Sequence, residues 1–218
     1  MMPVPVHSRS YVEISRRKIV NNYRSVCAAV GPDVEVMGVV KADAYGHGAV
    51  EISRVLTGAG AKWLAVSSVE EGVTLRRAGM DPRILVMAGV MPFERDALVE
   101  YRLTPVLHAL DDLAAIDVLA QSTGAPFPFH LKIDSGMARL GTTSSVEKIL
   151  EALRNLRYAR LEGLMTHFAS AADYLSPQTE RQVAYFESVC SRLSAGGMTA
   201  QYLHLSILVA YGSRPKKF

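Results

Sequence analysis

Lys41 stands at the end of an apolar run and directly before a stretch punctuated by glycine, Val39-Val40-Lys41-Ala42-Asp43-Ala44-Tyr45-Gly46-His47-Gly48. A lysine so placed suits Schiff-base chemistry with a carbonyl. The amine must first shed a proton, and a lysine near the ordinary pKa of about 10.4 is mostly inert at neutral pH. Desolvation at an apolar barrel mouth disfavours the ammonium and brings the amine into use. Four residues on, the Tyr45 hydroxyl offers a hydrogen bond to a phosphate oxygen, while Gly46 and Gly48 let backbone approach a ligand with no Cβ in the way. A lone lysine is more often just the first solvated residue after a strand, so the surrounding string carries the weight.

Two other segments carry chemistry. His130-Leu131-Lys132-Ile133-Asp134-Ser135-Gly136-Met137-Ala138-Arg139-Leu140-Gly141 ends a strand in a charged, glycine-containing turn that would project Arg139 over a barrel mouth. A guanidinium is a permanent forked donor, suited to a phenolate oxygen or a substrate carboxylate. The alternative is a surface pair between Arg139 and Asp134. In Gly163-Leu164-Met165-Thr166-His167-Phe168-Ala169 a strand ends in His167, a type more often hydrogen-bonded and structural than catalytic. His7, His47, His108, His130 and His204 lack the paired spacing of metal ligands, so no metal is expected.

These residues need elements that bring them to one rim. Helical spacing of Ile19, Val20, Tyr23, Val26, Cys27 and Val30 predicts a first helix over Ser15 to Val30, followed by a buried strand over Val34 to Val40 and a helix from Gly48 to about Thr57. Strand, helix and strand then alternate. Strands are expected at Lys62–Val66, Arg83–Met87, Thr104–Leu107, Phe129–Ile133, Leu161–Thr166 and Gln201–Leu205. The intervening helices are a capping-box helix from Ser68, Phe93–Tyr101, Leu110–Ser122, one carried by Val146 to Leu156, and one opened by Pro177 and ended by Gly196-Gly197. The inner face of that last helix is Val183, Phe186, Val189, Cys190 and Leu193. Such alternation predicts successive βαβ units and a parallel sheet, doubly wound or barrel. Gly46-His47-Gly48 lacks the third glycine of a dinucleotide fingerprint, and no Walker sequence occurs. In a barrel, strand C-termini carry the chemistry, which is where Lys41, Arg139 and His167 fall.

The 218 residues, 49% hydrophobic and 21% charged, suffice for one globular domain. A net charge of +3 is mild and spread along the chain, with only Arg214-Pro215-Lys216-Lys217 clustered, so nucleic acid is not an expected partner. No apolar run reaches the length of a membrane span, and Met1 to Ser10 lacks a signal-peptide core. Cys27 and Cys190 are expected as buried free thiols in a reducing compartment.

The lysine string closely resembles the cofactor-lysine motif of the alanine racemases, and the Arg139 and His167 segments resemble that family's arginine loop and sixth-strand histidine. The likeness runs from about Tyr11 to Leu205. It implies an α/β fold, a TIM-type barrel that binds pyridoxal 5'-phosphate, spanning 11–205 with seven of eight strands and without the family's C-terminal β domain. Residues 206–218 are then a divergent tail. On the same resemblance Lys41 is the catalytic base and the cofactor anchor, and Tyr45 holds the phosphate. Arg139 meets the cofactor's phenolic oxygen and the substrate, and His167 lies beside the ring. Lys132 matches a lysine that is often carbamylated in the family. The implied activity is isomerisation of L-alanine and D-alanine, D-alanine biosynthesis for peptidoglycan in the cytoplasm.

The family pattern stops after Leu205. An asparagine and a serine that help bind the phosphate are expected there, whereas this chain reads Ser206-Ile207-Leu208. The resemblance therefore implies a truncated racemase, as from a frameshift near Ser206, with two open sheet edges. It would lack the β-domain tyrosine that serves as second acid/base and the domain through which the family forms homodimers. With Lys41 as sole base, activity is expected to be weak. The alternatives are a non-catalytic pyridoxal-phosphate homeostasis barrel and a non-functional remnant.

Overall fold

The computed structural model describes residues 10–171, 173 and 175–206. His7, the arginine-lysine cluster at 214–217 and the expected divergence at Ile207 and Leu208 lie outside the described residues. Seven strands, β1 (Met37–Val39), β2 (Trp63–Val66), β3 (Arg83–Val86), β4 (Leu103–Leu107), β5 (Phe127–Lys132), β6 (Ala159–His167) and β7 (Tyr202–Ser206), form one sheet in sequence order. Every neighbouring pair is parallel. Helices α1 (Arg16–Val30), α3 (Ala49–Gly58), α4 (Val69–Arg77), α5 (Arg95–Glu100), α6 (Leu110–Ala120), α7 (Val146–Arg154) and α8 (Gln178–Ala195) cover its outer side, and a single turn, α2 (Lys41–Gly46), follows β1.

Alternation along the strands sorts side chains onto two faces. The outer face, against the helices, carries Leu64, Val66, Ile84, Val86, Leu107, Phe129, Leu131 and Leu164 in one large apolar core. The inner face holds a much smaller cluster of Trp63, Ala65, Leu85, Val106 and Met165. Polar groups fill the rest of the interior. Arg83 on β3 forms a two-pronged ion pair with Glu162 on β6, both bonds 2.7 Å, across the inside of the sheet. Two strands three places apart in the order can meet so closely only if the sheet curls into a half-barrel. A bulge lies beside the meeting point: Phe129 pairs with Leu161 but His130 with Gly163, so Glu162 is the extra residue. Among the described residues β1 and β7 are not paired with each other.

Local signals place the helix starts. Ser15 caps α1 by accepting from Lys18 N, and Ser68 with Glu71 forms a capping box on α4. The fold departs from the sequence expectation at several points. β1 begins at Met37 rather than Val34, because Glu35 turns out to an ion pair with Lys62 at 3.1 Å and Val34 is exposed. The helix expected over Phe93–Tyr101 breaks into a 3-10 turn, Pro92–Glu94, and α5, with Phe93 in solvent. Pro177 caps α8 instead of occupying its first turn. Cys27 and Cys190 are free but only half-buried. No helix among the described residues is long and apolar enough to cross a membrane.

The close contact of β5 with β6 yields a prediction. A Cβ at Gly163 would lie 2.6 Å from Nδ1 of His130, whose ring is fully buried and tied to Glu162. Gly163→Ala is expected to lower stability by about 1–3 kcal/mol in chemical denaturation, as overpacking of a closed core does.

Candidate functional site at the C-terminal rim

Parallel strands deliver their C-terminal ends to one rim. Lys41 follows β1, His108 follows β4, Lys132 ends β5, Arg139 lies in the next loop and His167 ends β6. Lys41 is half-buried and opens α2, a turn of unusual hand: Ala42, Asp43, Ala44 and Tyr45 have φ between 51° and 57°. Each left-handed non-glycine residue costs about 1–2 kcal/mol. Such strain persists where surroundings over-determine it. Glu71, at the start of α4, accepts from Ala42 N at 2.7 Å as well as from Ser67 N at 2.7 Å and Ser68 N at 3.3 Å. Asp43 accepts from Ala49 N at 2.6 Å and so caps α3. The His47 ring nitrogen Nδ1 bonds the carbonyls of Ala44 and Tyr45 at 2.9 and 3.1 Å. The glycines at 46 and 48 were expected to make an ordinary turn. Four successive left-handed residues ahead of them were not foreseen, because alanine and tyrosine carry no signal for that conformation.

The rim is cationic. Burial, and then the charges of Lys132, Arg139 and Lys41, push the His167 imidazole below its ordinary value of 6.5, which brings these four groups into one electrostatic neighbourhood. Burial and the neighbouring Arg139 lower the Lys132 amine, with Asp134 opposing. His108 is held down by burial and by Lys132, and its Nε2 bonds the Met87 carbonyl at 3.1 Å. Among the described residues none of Lys41, Lys132 and Arg139 forms an ion pair with a carboxylate.

The surface pair of Arg139 with Asp134, the alternative reading of that segment, does not form. Asp134 instead accepts from the backbone of Gly136, Met137 and Ala138 at 2.9, 2.9 and 3.1 Å, which shapes the turn that carries Arg139. Burial would raise its carboxyl, but these donors and Lys132 hold it below the usual range. Arg139 itself is exposed, as is Tyr45. The structure thus brings Lys41, Arg139 and His167 under one field, while the Tyr45 ring stands in solvent.

One positioning residue escaped the sequence reading. Gln182, on α8 and 2% exposed, donates to Ser135 Oγ and to the His167 carbonyl, each at 3.2 Å, and accepts from Ala169 N at 3.0 Å. Ser135 and Thr166 share a further bond at 2.6 Å. Gln182 thereby fastens the loop after β5 to the loop after β6. The available signal was a glutamine next to Val183 and one helical turn before Phe186, on the apolar side of the helix.

Known proteins share the fold. The family model described as "Alanine racemase, N-terminal domain" matches residues 14–207. An alanine racemase of Synechocystis is 35% identical over 203 residues, covering 92% of this chain and 55% of its own, and one of Carboxydothermus hydrogenoformans is 37% identical over 195 residues, covering 89% and 52%. Among solved structures, the Clostridium difficile alanine racemase superposes with a TM-score of 0.83 at 33% identity, over 92% of this chain and 55% of that one. The Bacillus anthracis alanine racemase with bound L-Ala-P gives 0.86 at 28%, over 97% and 55%. The chain therefore spans about half the length of the relatives it matches.

Two outcomes are expected. Glu71→Ala removes the acceptor of three backbone N–H groups, Ala42 in the strained turn and Ser67 and Ser68 before α4, and should cost about 1–3 kcal/mol in denaturation experiments, with Lys41 loosened. His167 should titrate below 6.5 by NMR and rise in Lys41→Met, since one of the charges opposing its protonation is gone. The unfolded imidazole takes its proton more readily than the folded one, so this residue's contribution to stability is present above 6.5 and falls as the pH drops below it.

Proposed function

Because the chain belongs to the alanine racemase family through its N-terminal domain, we propose that it binds pyridoxal 5'-phosphate at the rim through Lys41 and takes part in interconverting L-alanine and D-alanine. The observation that carries this reading is the group of cations at the rim, Lys41, Lys132 and Arg139 acting together on His167, none of them in an ion pair with a carboxylate among the described residues, where an anionic aldehyde would be welcome. The donor set suits that cofactor. Lys41 supplies the amine for its aldehyde, and Arg139 a forked donor for its phenolic oxygen and for the substrate carboxylate. Tyr45 holds the phosphate with its exposed hydroxyl, and His167, kept neutral, lies beside the ring. When bound, the cofactor supplies an electron sink for the pair left behind as the substrate's α-proton departs.

Lys41 removes and returns that proton on one face. Inversion also needs delivery on the opposite face, and Lys41 cannot reach both. None of the other three named residues is assigned that role, so the reading expects slow racemisation by this chain. We assign the cofactor-binding unit to 11–205, with the reaction in the cytoplasm and D-alanine destined for peptidoglycan.

Incubation with pyridoxal 5'-phosphate and then borohydride should label Lys41 selectively and leave Lys41→Ala unlabelled, as peptide mapping would show. Chiral analysis after incubation with each enantiomer should find interconversion that falls roughly a thousandfold in Lys41→Ala. Selective labelling without interconversion would favour a non-catalytic carrier, and label scattered over other lysines would overturn the site itself.

A further inference from the structure

Arg139 is exposed and in no ion pair among the described residues, so what aims its guanidinium is the loop that carries it. That loop, between β5 and α7, closes on itself. Thr142 N donates to the Lys132 carbonyl at 2.8 Å, and Asp134 N donates to the Thr142 carbonyl at 3.0 Å. Gly141 permits this neck, since a Cβ there would lie 2.8 Å from Asp134 N and 3.0 Å from the carbonyl carbon of Ile133. Inside the loop one atom, Oδ1 of Asp134, accepts from the backbone of Gly136, Met137 and Ala138. Gly136 and Ala138 have φ of 125° and 56°, and an alanine stays in that region only where its surroundings impose it. Arg139 is thus bracketed by two fixed points, Ala138 N before it and Thr142 N after it.

A second set of bonds ties the loop to β6 and α8, and each proton in it has one place to be. Backbone groups orient the Gln182 amide: Oε1 faces Ala169 N, which only donates, and Nε2 faces the His167 carbonyl, which only accepts. The other Nε2 proton goes to Ser135 Oγ at 3.2 Å. Thr166 spends its single hydroxyl proton on the Ile133 carbonyl at 3.0 Å, so in the 2.6 Å bond between the two hydroxyls Ser135 donates and Thr166 accepts. Thr166 is fully buried and Gln182 nearly so, which keeps water from competing for these bonds.

We propose that Asp134 is a positioning residue for Arg139, holding it for a carboxylate or phenolate oxygen by serving as a backbone acceptor and not by its charge, and that Ser135, through Thr166 and Gln182, keeps the same loop in register with His167. Given the proposed role of Arg139 toward cofactor and substrate, on which this inference rests, a loop ordered before binding spares the entropy of ordering it at that moment. An asparagine would offer the same oxygen to the three N–H groups without the charge, whereas an alanine would leave all three without that acceptor.

Amide relaxation of the full chain with no ligand present reads the loop directly. An order parameter of about 0.85 is expected at Arg139 in the unaltered protein and in Asp134→Asn, falling below about 0.6 in Asp134→Ala. Pyridoxal 5'-phosphate should bind roughly tenfold more weakly to Asp134→Ala, and within about twofold of the unaltered affinity to Asp134→Asn. The proposal is overturned by a mobile Arg139 in the unaltered protein, by an Asp134→Ala that stays rigid or is mobile yet binds undiminished, or by an Asp134→Asn that behaves like the alanine variant. If borohydride labelling at Lys41 fails in the unaltered protein, the cofactor reading falls by itself and the order parameters alone decide between these outcomes. Should Asp134→Ala not fold, Ser135→Ala takes its place: the Arg139 order parameter is expected to drop there too, and an unchanged value overturns the proposal.

Discussion

The ion pair between Arg83 and Glu162 joins residues 79 apart in sequence across the inside of a parallel sheet, and the curl of that sheet is written in its geometry. Two charges taken from water are costly to bury, and their mutual attraction repays the cost only with close, multiple bonds. Here the guanidinium makes both prongs, stacks on Trp63 and adds Thr104, while His130 satisfies the carboxylate from the other side. Losing Arg83 would leave the buried Glu162 carboxylate unmatched, whereas Arg83 keeps part of its side chain in solvent, so the pair defines which strands face each other even if it adds little net stability. The bulge between β5 and β6 lies at the same place, setting Gly163 rather than Glu162 opposite His130.

Curling the sheet also gathers the rim. Lysines, an arginine and histidines from separate loops come to share one field, and a group of cations without carboxylate partners is a poor way to stabilise a fold. The left-handed turn at Lys41 is a second cost accepted at the same place, offset by Glu71 and Asp43. Strain and cations in excess of carboxylates concentrated at one rim are what a site prepared for an anionic ligand looks like. Gln182 adds rigidity from behind by tying two of the loops together with one buried amide.

Much of the architecture was legible in residue spacing. The order of strands and helices, the capping box at Ser68 and the lysine at a strand end all follow from local chemistry, since period and capping are properties of a few neighbouring residues. The boundary errors have local causes as well: Glu35 found a lysine on the neighbouring strand segment, and Pro92 tightened a helix start into a 3-10 turn. The candidate site was legible as a list of side chains, but their company was not. Nothing near Arg139 says that Asp134 will be spent on backbone donors, and nothing near His167 says that three cations will surround it.

By itself, then, the amino-acid order determined an alternating α/β chain whose reactive side chains sit at strand ends, because apolar periodicity and turn residues act over a few positions. The curling of the sheet, the hand of the turn at Lys41, the interior pairing of Arg83 with Glu162 and the stitch made by Gln182 were decided only by the tertiary structure. Each depends on groups that are distant along the chain, and their interaction energy exists only after the sheet has bent far enough to bring them into contact.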